Sequence, residues 1–224
     1  MKKIAIISSY NPSQILLDTI DSIKKIYSDF DIVIIDSDSA ELNTYDKLPK
    51  EIKVHLIKNK NYEWGAWKKG YELYPNYDIY MCIQDSFPPL RRADVDSLKE
   101  NDIMACKWKC GFGNDPHCIP EVRNLLKNTK YENSHVFNYD HHDPDPFYVA
   151  SHTFLITNKK NLCHLFETLP NLPTNKLGSR AMERVLGIAI AHNEYNWICI
   201  SNGDIDKREL KDKSYFKKIH LRRS

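Results

Sequence analysis

Four short, nearly unbroken apolar runs in the first half constrain this chain more than any other feature. They are Lys3-Ile4-Ala5-Ile6-Ile7, Ile32-Val33-Ile34-Ile35, Val54-His55-Leu56-Ile57 and Ile79-Tyr80-Met81-Cys82-Ile83. Runs rich in β-branched residues and lacking polar alternation suit strands buried on both faces, as in a parallel sheet with helices above and below. Helical patterns separate them. Leu16, Ile20, Ile23 and Tyr27 form one stripe after the turn and cap offered by Asn11-Pro12-Ser13, and Trp64, Trp67 and Tyr71 fall at helical spacing in Glu63 to Leu73. The alternation predicts an α/β chain, a Rossmann-like three-layer α/β/α sandwich with a mostly parallel central sheet.

The second half reads less regularly. Strands are expected at Asp102–Cys106, Val149–Thr157 and Trp197–Ile200, with helices at Asn161–Leu169 and Ser179–Ala191. Between Cys110 and Pro146 the chain is rich in Gly, Pro, Asn, His and Asp, which predicts loops around a short helix near Val122 to Leu126. No repeat, low-complexity tract or linker interrupts the chain. Residues 1–224 are therefore expected to form one domain, with 1–107 as a ligand-binding half and 108–224 completing it.

Composition excludes several classes. The 224 residues carry 32 basic and 30 acidic side chains, a net charge of +2, which does not supply the basic excess of a dedicated nucleic-acid binder. The one local excess lies between Lys207 and Arg223, where eight Lys/Arg face Glu209 and Asp212. Such a tail suits a phosphate group, peripheral contact with an anionic membrane, or simple solubility. No apolar run reaches the length of a membrane span, and Met1-Lys2-Lys3 is followed by too short an apolar stretch for a signal peptide, so a cytoplasmic location is expected, or one on the cytosolic membrane face. Six dispersed cysteines then read as buried small hydrophobes; Cys106, Cys110, His117 and Cys118 could ligate zinc, but their spacing lacks the paired C-x-x-C of such sites.

In open parallel sheets, ligands bind beyond the carboxyl ends of the strands. Polar residues collect there: Ser8, Ser9 and Tyr10 after the first run, Asp36 and Asp38 after the second, Gln84, Asp85 and Ser86 after the fourth. For any single position a turn explains a Ser or Asp equally well, but three strand ends together favour a site. The loop after the first run holds no glycine, which excludes a dinucleotide fingerprint and a P-loop. Neither a G-x-S-x-G elbow nor an H-E-x-x-H helix is present.

These residues resemble the nucleotide-diphospho-sugar transferases of the GT-A fold, in particular the family-2-like group. Ile34-Ile35-Asp36-Ser37-Asp38-Ser39 is similar to that family's V-V-D-D-G-S signature, and Asn61 with Trp64 to Gly70 to its N-x-G-x-x-x-A-x-N-x-G stretch. Tyr80 to Ser86 falls where the family carries its D-x-D motif, with a single acid in Gln84-Asp85-Ser86. Ser179 to Val185 resembles the acidic position at the head of a helix beneath the acceptor.

The resemblance implies a transfer of sugar from a nucleotide-sugar donor, UDP-linked above all, to a hydroxyl of a glycan or glycoconjugate acceptor, as in polysaccharide biosynthesis. Donor contacts would come from Ser8, Ser9, Tyr10, Asp36, Asp38, Asn61, Trp67, Lys68, Lys69, Gln84 and Asp85. Asp85 and His220 would hold Mn²⁺ or Mg²⁺. Glu183 would act as the base of an inverting reaction, with Asp143 and Asp145 in reserve. Other readings are a non-catalytic binding module on a degenerate fold, suggested by Gln84, and a sugar nucleotidyltransferase, whose G-x-G-T-R loop Ser8 to Pro12 lacks. An interaction protein is suggested only by Trp64, Trp67, Tyr71 and Tyr74, which core packing explains as well.

Overall fold

A computed structural model describes residues 1–58, 60–112, 115–138, 147–202, 215–217 and 219. Seven strands form one sheet: β1 (Lys3–Ser9), β2 (Phe30–Ser37), β3 (Lys53–Ile57), β4 (Ile79–Gln84), β5 (Asp102–Lys109), β6 (Tyr148–Asn158) and β7 (Asn196–Asn202), in spatial order β3-β2-β1-β4-β6-β5-β7. The five α-helices are α1 (Gln14–Ile26), α2 (Tyr62–Leu73), α3 (Ile119–Leu126), α4 (Lys159–Thr168) and α5 (Lys176–His192). Every strand and helix expected from the sequence is present. The strands β1 to β4 are parallel, as expected, and β6 alone runs against both its neighbours, β4 and β5. Its apolar run carries no mark of direction, because a strand buried on both faces reads the same either way.

Alternation along the strands sorts side chains into two cores, one on each face. Ile4, Ile6, Val33, Ile35, Tyr80 and Cys82 pack with α2, α3, α4 and α5; Ala5, Ile7, Ile34, Met81 and Ile83 pack with α1 and with Phe87, Val95 and Phe216. This is the expected three-layer arrangement. Each fully buried aliphatic side chain contributes about 1.5–3 kcal/mol of transfer free energy, so strands with hydrophobes on both faces are driven to the centre of the sheet.

Three helices are fixed at their amino ends by side-chain caps. Ser13 accepts from Ile15 N, Asn158 from Asn161 N and Asn175 from Gly178 N. The last of these starts α5 three residues earlier than the sequence reading placed it, at Lys176. Two glycines let helices approach the sheet closely. A Cβ on Gly70 would lie 2.5 Å from Ile6 Cγ2, and one on Gly187 would lie 2.3 Å from the carbonyl oxygen of Tyr148.

Candidate active site at the carboxyl edge of the sheet

The ends of β1, β2 and β4 are joined by a buried polar network. Ser9 Oγ donates to Asp85 Oδ2 at 2.9 Å, and Thr19 Oγ1 on α1 donates to the Asp85 carbonyl at 2.7 Å. The amide of Asp85 bonds to the carbonyl of Ser8 at 3.0 Å, carrying the β1–β4 pairing one residue past the strand. Asp36, 1% exposed, accepts from Ser39 N at 2.9 Å and from Ser39 Oγ and Tyr45 Oη at 2.5 Å each. Burial, together with the Asp36 carboxylate, pushes the Tyr45 phenol far above its ordinary range; a hydrogen bond with Ser9 acts in the other direction. Tyr45 thus links Asp36 to Ser9, and Ser9 leads on to Asp85. No sequence signal marked Tyr45, which sits in a short 3₁₀ turn (Asn43–Lys47) between β2 and β3.

The two oxygens of Asp36 accept three donors, two from Ser39 and one from Tyr45, so Asp36 ties together the loop that follows β2. Asn11 supports the same loops: its amide donates to Ser39 Oγ at 2.6 Å, and its Oδ1 accepts from Ala40 N at 3.0 Å. Asn11 and Asp38 both adopt left-handed backbone, with φ of 49° and 68°. Asn and Asp tolerate this region better than other side-chain-bearing residues, and Asp38 stands where the family signature has glycine. Above the buried network Tyr10 is 45% exposed and Asp38 is exposed.

A second cluster flanks the first. Gln84 Nε2 donates to the carbonyl of His152 at 3.3 Å, and the amide of His152 donates to Glu183 Oε1 at 2.8 Å. Arg184, itself buried, pairs with Glu183 Oε2 at 3.3 Å. Beside them Glu63 accepts from Thr153 Oγ1 at 3.0 Å and from Ser179 Oγ at 3.1 Å. Burial, with a smaller push from the Glu183 charge, raises the Glu63 carboxyl above its ordinary value. The structure therefore brings Glu183 to the same edge as Gln84 and Asp85, through the backbone of His152.

The structure corrects some expectations and places other candidates on the fold. Trp67 is fully buried, with its indole N–H donating to the carbonyl of Ile83 at 3.2 Å, so it is a core residue and not a donor contact. Lys68 and Lys69 lie in the second turn of α2, about 9 Å of helical rise beyond Tyr62, and Lys69 pairs with Glu72 on the exposed face. Glu183 is the eighth residue of α5, about two turns in from the head of the helix, and its carboxylate is held by the His152 amide and by Arg184. Asn61 donates to the carbonyl of Pro173 at 3.0 Å and joins the start of α2 to the loop before α5. The zinc reading fails: among the described residues no three His, Cys, Asp or Glu side chains are grouped to hold a metal, and Cys106, Cys110 and Cys118 are buried.

Asp143, Asp145 and His220 lie outside the described residues. Of the C-terminal segment residues 215–217 and 219 are described, and the amide of Ile219 donates to the carbonyl of Ser86 at 2.9 Å. Phe216 bridges Pro89 and packs on Phe87 and Phe154, so the C-terminal segment returns beside Asp85. Asp85 offers one hard oxygen donor of the kind that Mn²⁺ or Mg²⁺ takes, and among the described residues no group of three ligating side chains completes a metal site.

The fold is that of the GT-A glycosyltransferases. Residues 4–72, from β1 through α2, match the family model described as Glycosyl transferase family 2. That stretch is similar in sequence to family 2, and the chain as a whole shares the GT-A fold. Solved structures agree on the fold. S. aureus TarS 1–349 in complex with UDP-GlcNAc is 16% identical, with a TM-score of 0.53, over 100% of this chain and 60% of that one. The mannosyltransferase PcManGT from Pyrobaculum calidifontis, in complex with GDP-Man and Mn²⁺, is 13% identical, with a TM-score of 0.50, over 93% of this chain and 58% of that one. The chain thus spans about 60% of the length of these structures. No curated protein matches it. No helix among the described residues is long and apolar enough to cross a membrane.

Proposed function

We propose that this chain is a metal-assisted glycosyltransferase that moves a sugar from a UDP-sugar to a hydroxyl of a glycan or glycoconjugate, with inversion. The observation that carries the reading is the convergence of two carboxylates at one sheet edge: Asp85 fixed by Ser9, and Glu183 fixed by the His152 amide. Residues 1–107 form the donor half in this reading, and 108–224 the acceptor half with a basic tail suited to diphosphate or to a membrane surface. The work belongs to polysaccharide assembly in the cytoplasm.

Tyr10 offers an exposed ring for the base and Asp38 an exposed carboxylate for the ribose, on loops that Asp36, Asn11 and Tyr45 hold in shape. Asp85, with His220 from the returning tail, would hold Mn²⁺ or Mg²⁺ against the diphosphate, and the cation would offset the charge that develops on the departing nucleotide. Glu183 takes the proton of the acceptor hydroxyl as its oxygen bonds to the anomeric carbon. The bond from that carbon to the diphosphate oxygen breaks, and the electron pair leaves with the nucleoside diphosphate. Both oxygens of Glu183 are oriented, one by the amide and one by Arg184, so little reorganisation is needed at the moment of transfer.

The test is thermal unfolding with UDP, GDP and their sugars, with and without Mn²⁺, followed by turnover with the donor selected. A metal-dependent rise in midpoint with one nucleotide supports the assignment; no rise with any of them sinks it. One observation favours a second reading, a non-catalytic donor-binding module: the amide of Gln84, where the family has an acid, is occupied in bonding the His152 carbonyl. Donor turnover by the purified chain would remove that reading.

A further inference from the structure

The strand β6 is interrupted beside Glu183 by a bulge. Ala105 of β5 pairs with Leu155, while Lys107, two residues on, pairs with Ala150, so a two-residue step on β5 faces a five-residue step on β6. The surplus is taken up at His152 and Thr153, which are consecutive in the left-handed region with φ of 58° and 56°. Left-handed backbone at a β-branched residue is a steric outlier, because Cβ crowds its own carbonyl. Two such residues in a row persist only where the surroundings hold them. Bulges of this kind re-aim backbone groups next to functional sites. Here the re-aimed groups are the amide of His152, on Glu183, and its carbonyl, on Gln84.

What holds the bulge is a carboxylate that no sequence reading singled out. Glu63, in the first turn of α2, accepts from Thr153 Oγ1 at 3.0 Å, and the Thr153 side chain is fully buried. The same carboxylate lies 3.1 and 3.2 Å from Ser179 Oγ on α5, one turn before Glu183. Ser179 has one hydroxyl proton to give, so it clips α5 to Glu63 at whichever oxygen it chooses while Thr153 occupies Oε1. We propose that Glu63 is a positioning residue: by bonding Thr153 and Ser179 together, it locks the left-handed bulge and α5 in the register that places the His152 amide on Glu183. This rests on the reading of Glu183 as the base. A merely structural acid in a first helical turn would face solvent and favour the helix dipole; this one points into the junction of α2, β6 and α5 and is kept there against the burial that raises its carboxyl.

The experiment measures amide hydrogen exchange at His152 by NMR and donor turnover side by side, in the full chain and in Glu63→Ala, Glu63→Gln, Glu183→Gln and the double variant Glu63→Ala/Thr153→Gly. Glu63→Ala is expected to speed exchange at His152 by about tenfold or more and to lower kcat by a similar factor, with the donor KM little changed. Glu63→Gln, which keeps a carbonyl acceptor for the two hydroxyls, should hold exchange within about threefold of the parent. Glycine at 153 adopts left-handed backbone without support, so the double variant should regain protection and part of the lost kcat. Unchanged exchange and kcat in Glu63→Ala would overturn the proposal, as would a double variant no better than Glu63→Ala. If Glu63→Ala does not fold, a loss of protection in Glu63→Gln as large as that expected of the alanine would also overturn it. Full turnover by Glu183→Gln would overturn the base assignment instead, leaving the exchange results to judge the bulge alone.

Discussion

The hydroxyl of Ser9 reaches across from β1 to the carboxylate of Asp85 at 2.9 Å, while the amide of Asp85 reaches back to the carbonyl of Ser8 at 3.0 Å. Thr19 on α1 holds the Asp85 carbonyl from a third element. The one acid in Gln84-Asp85-Ser86 is therefore fixed by three neighbours before any ligand arrives, the pre-organisation that the proposed cation-binding role calls for.

Replacing Asp85 with Asn tests this arrangement with little change of shape. Asp85→Asn should abolish the Mn²⁺-dependent part of the nucleotide-induced rise in unfolding midpoint, because an amide is a weak ligand for a hard cation, and leave any metal-independent part in place. Differential scanning fluorimetry across a Mn²⁺ titration reads both parts.

Glu183→Gln should leave donor binding within about threefold while cutting kcat by at least about 10², the range typical of losing a general base. The amide can still accept the hydrogen bond from His152 N but cannot take a proton. Isothermal titration of donor and steady-state kinetics separate the two effects.

Tyr45→Phe removes one of three donors to the buried Asp36. A carboxylate short of a partner costs about 1–3 kcal/mol, and Tyr45 is only partly buried, so the lower end is expected. Nucleotide affinity should fall in parallel, since Asp36 and Ser39 shape the loop that carries Asp38. Urea unfolding with and without nucleotide would register both.

Gly187→Ala should be among the most damaging single methyl additions. Its Cβ would sit 2.3 Å from the Tyr148 carbonyl and 3.0 Å from Val149 Cα, both backbone atoms that cannot rotate away. A loss of about 2 kcal/mol or more is expected from such overpacking. A midpoint in urea equal to that of the parent would show that α5 can slide on β6.

At the opposite edge of the sheet, Arg92 holds Asp29 at 2.6 Å and Asp96 at 2.9 Å, and buried Lys3 contacts both acids. The Arg92 hydrogen bonds, more than those of Lys3, draw the Asp29 carboxyl well below its ordinary value. A lowered folded-state value means stability that is present above the unfolded value near pH 4 and is lost as pH falls. Asp29→Asn should thus cost about 1 kcal/mol at pH 7, discounted for the exposure of Asp29, and progressively less below pH 4. Chemical unfolding at pH 7 and at pH 3 gives the comparison.

Sequence by itself determined which stretches become strands and helices, because burial on two faces and the 3.6-residue stripe are written into neighbouring residues. It also indicated which edge carries the candidate site, since Ser9 and Asp36 lie at the carboxyl ends of their strands and Asp85 directly follows its own. It did not determine direction in β6, whose apolar run is the same read forwards or backwards. Nor could it separate Trp67, sealed beneath Ile83, from an aromatic residue at the surface, or mark Tyr45 and Glu63 among ordinary loop and helix-start residues. Those roles depend on partners distant in sequence: Tyr45 on Ser9, Glu63 on Thr153 and Ser179, Glu183 on a backbone amide of a bulged strand. Local pattern fixes the elements because each residue's preference acts within a turn or two. The site was decided only in the tertiary structure, where packing set which polar groups meet.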